Sequence, residues 1–234
     1  SKGLVGSEMC IRDSAGAANE VKVNIKSIHS ENISASNIET KLDDVDGVLV
    51  APGFGERGVE GKIESIKYVR ENKIPFFGIC LGMQMAVIEF SRNVLGLKNA
   101  NSSEMDSDSL HHVIDLMENQ KQIQVKGGTM RLGSWSCELL NGSIAFKSYN
   151  KKTIDERHRH RYEFNSSYKQ QIESNGMIAT GMNPKTGLVE IIELNNHPWF
   201  VGVQYHPEYK STVANPHPLF KAFVKASLDY KLFK

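Results

Sequence analysis

The chain has 234 residues, of which 40% are hydrophobic and 24% are charged, and its formal net charge at pH 7 is +1. This hydrophobic fraction excludes an intrinsically disordered protein, and no uncharged apolar run approaches the length of a membrane span. The balanced charge excludes a general attraction to nucleic acid or to an anionic membrane, so we expect neither as a partner. The length corresponds to roughly one or two domains.

Cysteine usage indicates a reducing compartment. The three cysteines, Cys10, Cys80 and Cys137, are too few for a disulfide framework. Their spacing does not suit a zinc site, so we predict no metal ligands. We find no apolar core after a basic start, as a secretory signal would require, and therefore predict a cytoplasmic protein.

The beginning of the chain differs in character from the rest. Ser1–Ser14 mixes glycine, serine and charged residues without helix or strand periodicity, so we leave it outside the predicted fold. Further along, Val21, Val23 and Ile25 alternate with polar residues, which predicts a strand.

The next part of the chain alternates between strands and helices. Val48–Ala51 and Ile74–Ile79 are short apolar runs typical of buried parallel strands. Apolar residues recur at helical spacing over Val59–Val69 and again over Met83–Val94, before Gly96. This order predicts an α/β fold with a parallel sheet covered by helices.

The second half contains further strands and loops. Asn99–Asp108 and Lys126–Gly133 read as loops, and Asn141-Gly142 between two apolar segments predicts a β-hairpin. The remaining predicted elements are strands at Met177–Thr180, Leu188–Glu193 and Trp199–Tyr205 and a C-terminal helix at Leu219–Leu228.

The strongest chemical signal is the pentapeptide from Gly78 to Gly82, which has Cys80 at its centre. A strand that runs into a helix through Gly-x-Cys-x-Gly is typical of a nucleophile elbow. Side chains at the two glycine positions would clash with the neighbouring strand and helix, and the helix N-terminus should lower the pKa of the thiol. The alternative is a buried structural cysteine in a glycine-containing turn.

A thiol nucleophile needs a base, and the base needs a partner that orients it. His206 and Glu208 follow the last predicted strand two residues apart, so their side chains can face the same site. We predict His206 as the base and Glu208 as its partner. A solvated or structural histidine is the alternative.

Acyl transfer also needs donors for the oxyanion. Pro52-Gly53-Phe54-Gly55 follows the preceding strand, and glycine lets a backbone N–H approach a ligand. The N–H of Leu81, directly after the nucleophile, is the natural second donor. Losing one such donor typically costs about 3–4 kcal/mol of transition-state stabilisation. In isolation, the first stretch also reads as an ordinary Pro-Gly turn.

These three motifs together resemble the class I glutamine amidotransferases. Other segments resemble the glutaminase domains of the CTP synthase family within that class: Asn101–Met105, Gly128–Gly133 and Arg157–Asn165. The resemblance runs from about Ala15 to the C-terminus. It implies a three-layer α/β sandwich with a mostly parallel, flavodoxin-like central sheet.

The resemblance also implies roles for the site residues. Cys80 would attack the carboxamide of glutamine and form a thioester, with His206 and Glu208 completing the triad and Gly53 and Leu81 forming the oxyanion hole. The residues that would bind glutamine are Gly53, Phe54, Leu81, Gly82, Met83, Gln84, Glu104 and Arg161. Glu104 and Arg161 suit the ammonium and the carboxylate of a free amino acid.

The chain departs from the family in two respects. Ser1–Ser14 does not match the family's first strand and helix, so we expect residues 1–14 to be non-native, residues 15–234 to be the amidotransferase domain, and the native first strand and helix to be missing. The family joins this domain to an N-terminal synthetase domain that uses ATP and Mg²⁺ to aminate UTP. We recognise no such motif here, and expect no cofactor in this chain.

Other interpretations stay open. The run Arg157–Arg161 also fits a phosphate or nucleic-acid patch, although neighbouring carboxylates argue against polyanion binding. In the family, Gly127–Gly133 resembles a lid linked to activation by GTP, and the full-length proteins form homotetramers. The alternatives in function are another class I amidotransferase, a γ-glutamyl hydrolase, or a non-catalytic domain that retains the fold.

Overall fold

The computed structural model describes residues 4–116 and 130–234, and a seven-stranded sheet with helices on both faces organises them. The strands are β1 (Val48–Val50), β2 (Phe76–Ile79), β3 (Asn101–Ser102), β4 (His112–Leu116), β5 (Arg131–Leu139), β6 (Thr153–His160), β7 (Tyr162–Phe164), β8 (Met177–Met182), β9 (Val189–Leu194) and β10 (Phe200–Val203). The helices are α1 (Leu4–Met9), α2 (Gly16–Ala18), α3 (Ile38–Leu42), α4 (Val59–Glu71), α5 (Leu81–Asn93), α6 (Ile144–Tyr149), α7 (Lys169–Ser174) and α8 (Pro218–Phe233).

The main sheet is mixed. Its strand order is β1-β2-β10-β9-β8-β5-β6, and β3, β4 and β7 form a separate small sheet. β2 pairs in parallel with both β1 and β10, whereas the four remaining pairings are antiparallel. The predicted α/β class is confirmed, but the expectation of a mostly parallel sheet holds only for these three strands. The turn between β8 and β9 is too short for a parallel pair, which needs a long crossover, so these two strands pair in the antiparallel direction.

Two apolar layers cover the sheet, which confirms the three-layer arrangement. On one face, Phe76 of β2 packs with the apolar side chains of α4 and α5. On the other face, the neighbouring Phe77 packs against Phe220 and Phe223 of α8. Successive strand residues point to opposite faces, so β2 contributes to both layers and is buried throughout.

The predicted helices are present, but α5 differs from its predicted pattern. The sequence shows one apolar stripe over Met83–Val94, whereas every residue from Leu81 to Ser91 is buried. The sheet covers one side of α5, and α4 and the small sheet cover others. The helix that begins at the elbow is therefore fixed from several directions.

The first segment has structure that its sequence pattern did not predict. α1, a π-helical stretch over Cys10–Ala15 and α2 follow one another, and Cys10 and Ala15 are fully buried in the layer that contains α8. Small residues make this contact, so no periodicity of large apolar side chains marks it. The expectation that residues 1–14 are non-native stays a prediction.

Two predictions of local structure are wrong. Val21–Ile25 has no ladder partner among the described residues, so the alternating pattern there does not form a strand. The predicted hairpin at Asn141-Gly142 is a turn that leads into α6, because Ser143 caps this helix by accepting the N–H of Phe146 at 3.0 Å.

The two predicted loop segments differ in how far the structure agrees with them. Asn99–Asp108 is largely loop, as predicted, apart from β3. Residues 126–129 of the predicted flexible stretch lie outside the described residues, and Arg131–Gly133 belongs to β5. Within the described ranges, no helix is both long enough and apolar enough to cross a membrane.

Candidate active site

The turn between β2 and α5 holds Cys80 in a strained backbone conformation. Its φ is 52° and its ψ is −102°, a region that residues with a side chain rarely adopt. The Cys80 N–H donates to the carbonyl of Val203 in β10 at 2.7 Å, and the Cys80 carbonyl accepts the first helical N–H, that of Gln84, at 3.2 Å. The strand ladder and the helix therefore hold the strained residue between them.

The two glycines of the elbow allow the strand and the helix to approach closely. A Cβ atom at Gly82 would lie 2.2 Å from the carbonyl oxygen of Val50 in β1. A Cβ atom at Gly78 would lie 2.7 Å from the backbone of Gly82. Both distances are far below van der Waals contact, which confirms the prediction that side chains would clash at these positions.

The Cys80 thiol is protonated in the resting site. Burial raises its pKa to about 12, and the negative charge of Glu208 adds to this effect, as do Glu104 and the ionised form of Glu163. The backbone N–H of Leu81 acts in the opposite direction, but it does not compensate. The expectation of a lowered pKa is therefore wrong for the resting site, because desolvation outweighs the helix N-terminus. A base has to remove the proton before Cys80 can attack.

His206 and Glu208 form the predicted pair. The Nδ1 atom of His206 lies 2.7 Å from Oε1 of Glu208, and both side chains are buried. Nε2 of His206 has no hydrogen-bond partner among the described residues. An imidazole held at Nδ1 by a carboxylate presents Nε2 as the atom that can accept a proton.

Neighbouring elements fix the position of the imidazole. The His206 backbone N–H donates to the carbonyl of Arg157 in β6 at 2.8 Å. The Tyr209 ring stacks on the imidazole with a centroid distance of 5.0 Å and an interplanar angle of 11°. Because β10 lies beside β2, the residues that follow both strands meet at the same edge of the sheet.

A cavity of about 310 Å³ joins the nucleophile and the base. Its volume lies at the small end of ligand pockets, which suits a metabolite of amino-acid size. The lining residues are Gly6, Pro52, Gly53, Phe54, Cys80, Arg159, His206, Glu208 and Tyr209.

The predicted oxyanion residues lie next to each other. A Cβ atom at Gly53 would be 3.2 Å from the Leu81 side chain, so the Pro52–Gly55 loop packs directly against the elbow. Gly53 also lines the cavity. This packing brings Gly53 and Leu81 together beside the elbow, and the role of their backbone N–H groups as oxyanion donors stays a prediction.

Glu104 and Arg161 lie close to each other beside this loop. Burial raises the pKa of Glu104, and the positive charge of Arg161 and a backbone hydrogen bond from Gly55 offset only part of this effect. Neither residue lines the cavity itself, although the charge of Glu104 reaches Cys80. An anionic and a cationic side chain thus lie near each other outside the cavity lining, and their role in binding glutamine stays a prediction.

The other predicted glutamine-binding residues differ in exposure. Phe54 is 70% exposed at the cavity, whereas the Met83 side chain is fully buried in the core. Gly82 faces β1, so Gly82 and Met83 can reach a ligand only through their backbone. The amide nitrogen of Gln84 donates to the carbonyl of Tyr162 at 3.0 Å and to Oε1 of Gln204 at 3.3 Å.

Sequence reasoning missed four residues of the site, which are Gly6, Arg159, Gln204 and Tyr209. Gln204 is fully buried, and its amide nitrogen lies 3.8 Å from Sγ of Cys80. The alternation along β6 buries His158 and His160 and leaves Arg159 facing out towards the cavity. Strand periodicity in Arg157–Arg161 was the available signal for Arg159, because it buries His158 and His160 and places Arg157 and Arg159 together on the exposed face.

A buried ionic cluster lies behind the site. The guanidinium of Arg131 contacts Glu190 at 2.5 Å and Glu163 at 3.5 Å, and all three residues are buried. Nδ1 of His158 lies 2.8 Å from Nε2 of His160, and burial followed by the Arg131 charge lowers the pKa of both rings. Burial also raises the pKa of Glu163 to about 8. The cluster therefore favours neutral histidines and a protonated Glu163.

The nucleophile elbow, the histidine–glutamate pair and the α/β sheet define a cysteine-dependent acyl-transfer site. A family model described as glutamine amidotransferase class-I matches residues 11–226. The chain therefore belongs to the class I glutamine amidotransferase family.

Within this family, the chain is similar to CTP synthases. It is 63% identical over 240 residues to CTP synthase from Christiangramia forsetii and 65% identical over 215 residues to CTP synthase from Flavobacterium johnsoniae. Its structure is also similar to that of the glutaminase domain of Trypanosoma brucei CTPS with bound acivicin, with a TM-score of 0.90 and 35% sequence identity. This match covers 96% of this chain and 87% of the Trypanosoma brucei chain.

The matches to the two bacterial proteins cover most of this chain but less than half of each relative. They cover 98% and 92% of this chain but 44% and 40% of the two relatives. The chain thus spans less than half the length of the CTP synthases that it matches.

Proposed function

We propose that this chain hydrolyses glutamine through a thioester on Cys80 and supplies the ammonia for ATP-dependent amination of UTP to CTP. The observation that carries the proposal is that Cys80, at a strained elbow, and a buried His206–Glu208 pair line one cavity. A neutral thiol with a base nearby is the arrangement that acyl transfer by cysteine requires.

In the first half of the reaction, Nε2 of His206 accepts the Sγ proton, and the sulfur attacks the carboxamide carbon of glutamine. Glu208 accepts the Nδ1–H hydrogen bond at 2.7 Å and stabilises the imidazolium that forms. The backbone N–H groups of Gly53 and Leu81 donate to the oxyanion. His206 then returns the proton to the leaving nitrogen, so ammonia departs and a thioester remains.

In the second half, water attacks the thioester carbon while Nε2 of His206 accepts a proton from it. The C–S bond breaks, glutamate leaves, and the proton returns to the Cys80 sulfur. Each proton taken up by His206 is thus released in the following step, and the site returns to its resting state.

Glutamine binding uses the charges at the border of the site. Glu104 would bind the α-ammonium group and Arg161 the α-carboxylate, since a guanidinium can grip a carboxylate with two hydrogen bonds. Phe54, Gln84 and the backbone of Leu81, Gly82 and Met83 would contact the remainder of the substrate.

The synthesis of CTP needs a partner. We propose that the ammonia passes to an N-terminal synthetase domain and that this domain binds ATP and Mg²⁺. The relatives are more than twice as long as the part that this chain matches, which leaves room for such a domain. The family resemblance further suggests GTP as an activator and a homotetramer as the assembled form. The free thiols of Cys10, Cys80 and Cys137 support a cytoplasmic location, where thiols stay reduced.

The decisive experiment is ammonia release from glutamine by the parent chain and by Cys80→Ala. Cys137→Ala is a matched control, because Cys137 is also a buried free thiol but does not line the cavity. We expect activity in the parent and in Cys137→Ala and none in Cys80→Ala. Activity that survives Cys80→Ala would refute the thioester mechanism.

Substrate scope and coupling need two further assays. γ-Glutamyl peptides tested beside glutamine distinguish an amidotransferase from a γ-glutamyl hydrolase, and we expect turnover of glutamine alone. Mixing the chain with the synthetase portion of the Christiangramia forsetii protein, with UTP, ATP and Mg²⁺, should give glutamine-dependent CTP. CTP formation from added ammonia but not from glutamine would contradict the proposed coupling.

A further inference from the structure

Gln204 directly follows β10 and brings a buried amide to the nucleophile. The residue is fully buried, and its Nε2 atom lies 3.8 Å from Sγ of Cys80, within hydrogen-bond distance for a sulfur acceptor. We propose that Gln204 is a further catalytic residue, which stabilises the Cys80 thiolate by donating an N–H to its sulfur. This inference rests on the proposed function, because it assigns the residue to the same reaction.

The hydrogen-bond network determines which end of the Gln204 amide faces the sulfur. The backbone carbonyl of Tyr162 can only accept, so the Gln84 side chain presents its nitrogen there, at 3.0 Å. The same nitrogen of Gln84 donates at 3.3 Å to Gln204, which must present Oε1 as the acceptor. The Nε2 atom of Gln204 is then the end that points to Cys80.

The position of this amide is fixed by the fold. The backbone N–H of Gln204 donates to the carbonyl of Glu190 in β9 at 2.9 Å, next to the pairing of β9 with β10. Gln84 lies in α5, one turn after Cys80, so the two amides and the sulfur belong to elements that pack directly on each other. A donor held in advance costs little reorganisation when charge develops on the sulfur.

The electrostatics of the site explain why a donor is needed. The carboxylate of Glu208 favours the neutral thiol, and Glu104 and the ionised form of Glu163 act in the same direction. The N–H of Leu81 acts in the opposite direction. A protonated imidazole at His206 would also stabilise the thiolate, since an opposite charge favours the charged form. An N–H bond to a thiol is weak, but one to a thiolate is charge-assisted and stronger. Gln204 therefore acts mainly on the ionised state.

The test follows thiolate formation directly. The rate of alkylation of Cys80 by iodoacetamide is measured across the neutral and mildly alkaline pH range, with mass spectrometry to separate Cys80 from Cys10 and Cys137. In Gln204→Leu, which lacks the donor, we expect alkylation of Cys80 to be about tenfold slower at each pH, because a hydrogen bond to a charged group is lost.

A second variant keeps the test informative if Gln204→Leu does not fold. Gln204→Glu preserves the shape and an acceptor for Gln84 but replaces the donor with a carboxylate, so it should slow alkylation at least as much. Thr180→Val is the matched control: it removes a buried hydrogen bond, that of Thr180 to Glu193 at 2.9 Å, away from the cavity. It should leave the alkylation of Cys80 unchanged.

The outcomes separate this inference from the proposed function. If a folded Gln204 variant, with a thermal unfolding transition like that of the control, is alkylated at the parent rate at every pH, the inference is wrong. If alkylation slows but neither parent nor variant releases ammonia from glutamine, the thiolate role stands and the proposed function fails. With both correct, kcat for glutamine falls about tenfold in Gln204→Leu while KM changes little.

Discussion

At the scale of single residues, the two nitrogens of His206 have different environments. Nδ1 is bound to Glu208, whereas Nε2 is buried without a partner among the described residues, as is Oε2 of Glu208. Buried polar atoms are nearly always hydrogen-bonded, so an exception costs stability. Both exceptions lie at the proposed site, where a substrate or water can satisfy Nε2.

The first prediction concerns the partner of this imidazole. Glu208→Gln keeps the shape of the side chain but removes the charge that stabilises the imidazolium. We expect kcat for ammonia release to fall about 10²–10⁴-fold, the range of general-base catalysis, with a small effect on KM. Glu138→Gln, an exposed change in β5, is the control and should keep the parent kcat. An unchanged kcat in Glu208→Gln would remove Glu208 from the mechanism.

The second prediction concerns the strain at Cys80. With φ at 52°, a residue that has a Cβ atom is strained there and glycine is not. We therefore expect Cys80→Gly to be more stable than Cys80→Ala by about 1–3 kcal/mol, although glycine usually destabilises a fold. Urea denaturation of the two inactive variants measures this difference directly. Equal stabilities, or a more stable alanine variant, would show that the elbow stores no strain.

At the scale of elements, the site depends on the close packing of β2, the elbow and α5. Gly78 and Gly82 let the helix begin directly against β1 and β2, so the nucleophile lies at the edge where β10 also ends. The parallel part of the sheet holds the chemistry. The antiparallel part supports it from behind through β9 and β6.

The third prediction tests this packing. In Gly82→Ala, the new methyl group would lie 2.2 Å from the Val50 carbonyl, so β1 and α5 must separate. We expect a loss of about 1–3 kcal/mol in the free energy of unfolding, the usual range for overpacking, together with lost ammonia release. Gly187→Ala is the control, since its Cβ meets open space and it carries only the cost of its positive φ. If the two variants lost the same stability and both stayed active, close approach at the elbow would not matter.

The sequence predicted the elements whose pattern is local. Apolar periodicity gave α4, α5 and α8, and short buried runs gave β1, β2 and β10, because these signals depend on neighbours in the chain. The direction of β8 and β9 relative to β10 depends on how the chain returns to the sheet. Hydrophobic periodicity carries no information about that direction. Val21–Ile25 shows the same limit, since a strand needs a partner as well as an alternating pattern.

The candidate site was predictable to a similar extent. Cys80, His206 and Glu208 stand in short motifs with a chemical meaning of their own. Gln204 has no such motif, and only the contact of β10 with α5 brings its amide to the sulfur. The pKa of Cys80 could not be read from the helix N-terminus alone, because it depends on burial and on carboxylates distant in sequence.

At the scale of the whole molecule, one buried cluster connects the two sheets. Arg131 in β5 and Glu190 in β9 belong to the main sheet, and Glu163 in β7 belongs to the small one. One guanidinium faces two carboxylates in this cluster, and Oε2 of Glu163 has no hydrogen-bond partner among the described residues. Ionisation of Glu163 thus places an uncompensated charge between the sheets.

The fourth prediction follows from this imbalance. Burial raises the pKa of Glu163 from 4.5 to about 8, so within that interval the folded state keeps a proton that the unfolded state has released. The contribution of Glu163 to stability is therefore complete below the lower value and decreases as the pH rises to the upper one. The Glu163→Gln side chain cannot ionise. As the pH rises across this interval, the free energy of unfolding of Glu163→Gln should therefore increase relative to that of the parent. Chemical denaturation at several pH values measures the difference, and a constant difference would contradict the assignment.

The position of β10 between β2 and β9 has a consequence for synthesis on the ribosome. Cys80 is made well before Gln204 and His206, because these two residues follow β10, the last of the described strands. A nascent chain that ends before β10 has the Cys80 thiol, but it lacks the base His206 and the second strand that pairs with β2. We therefore expect a polypeptide that ends before β10 to release no ammonia from glutamine.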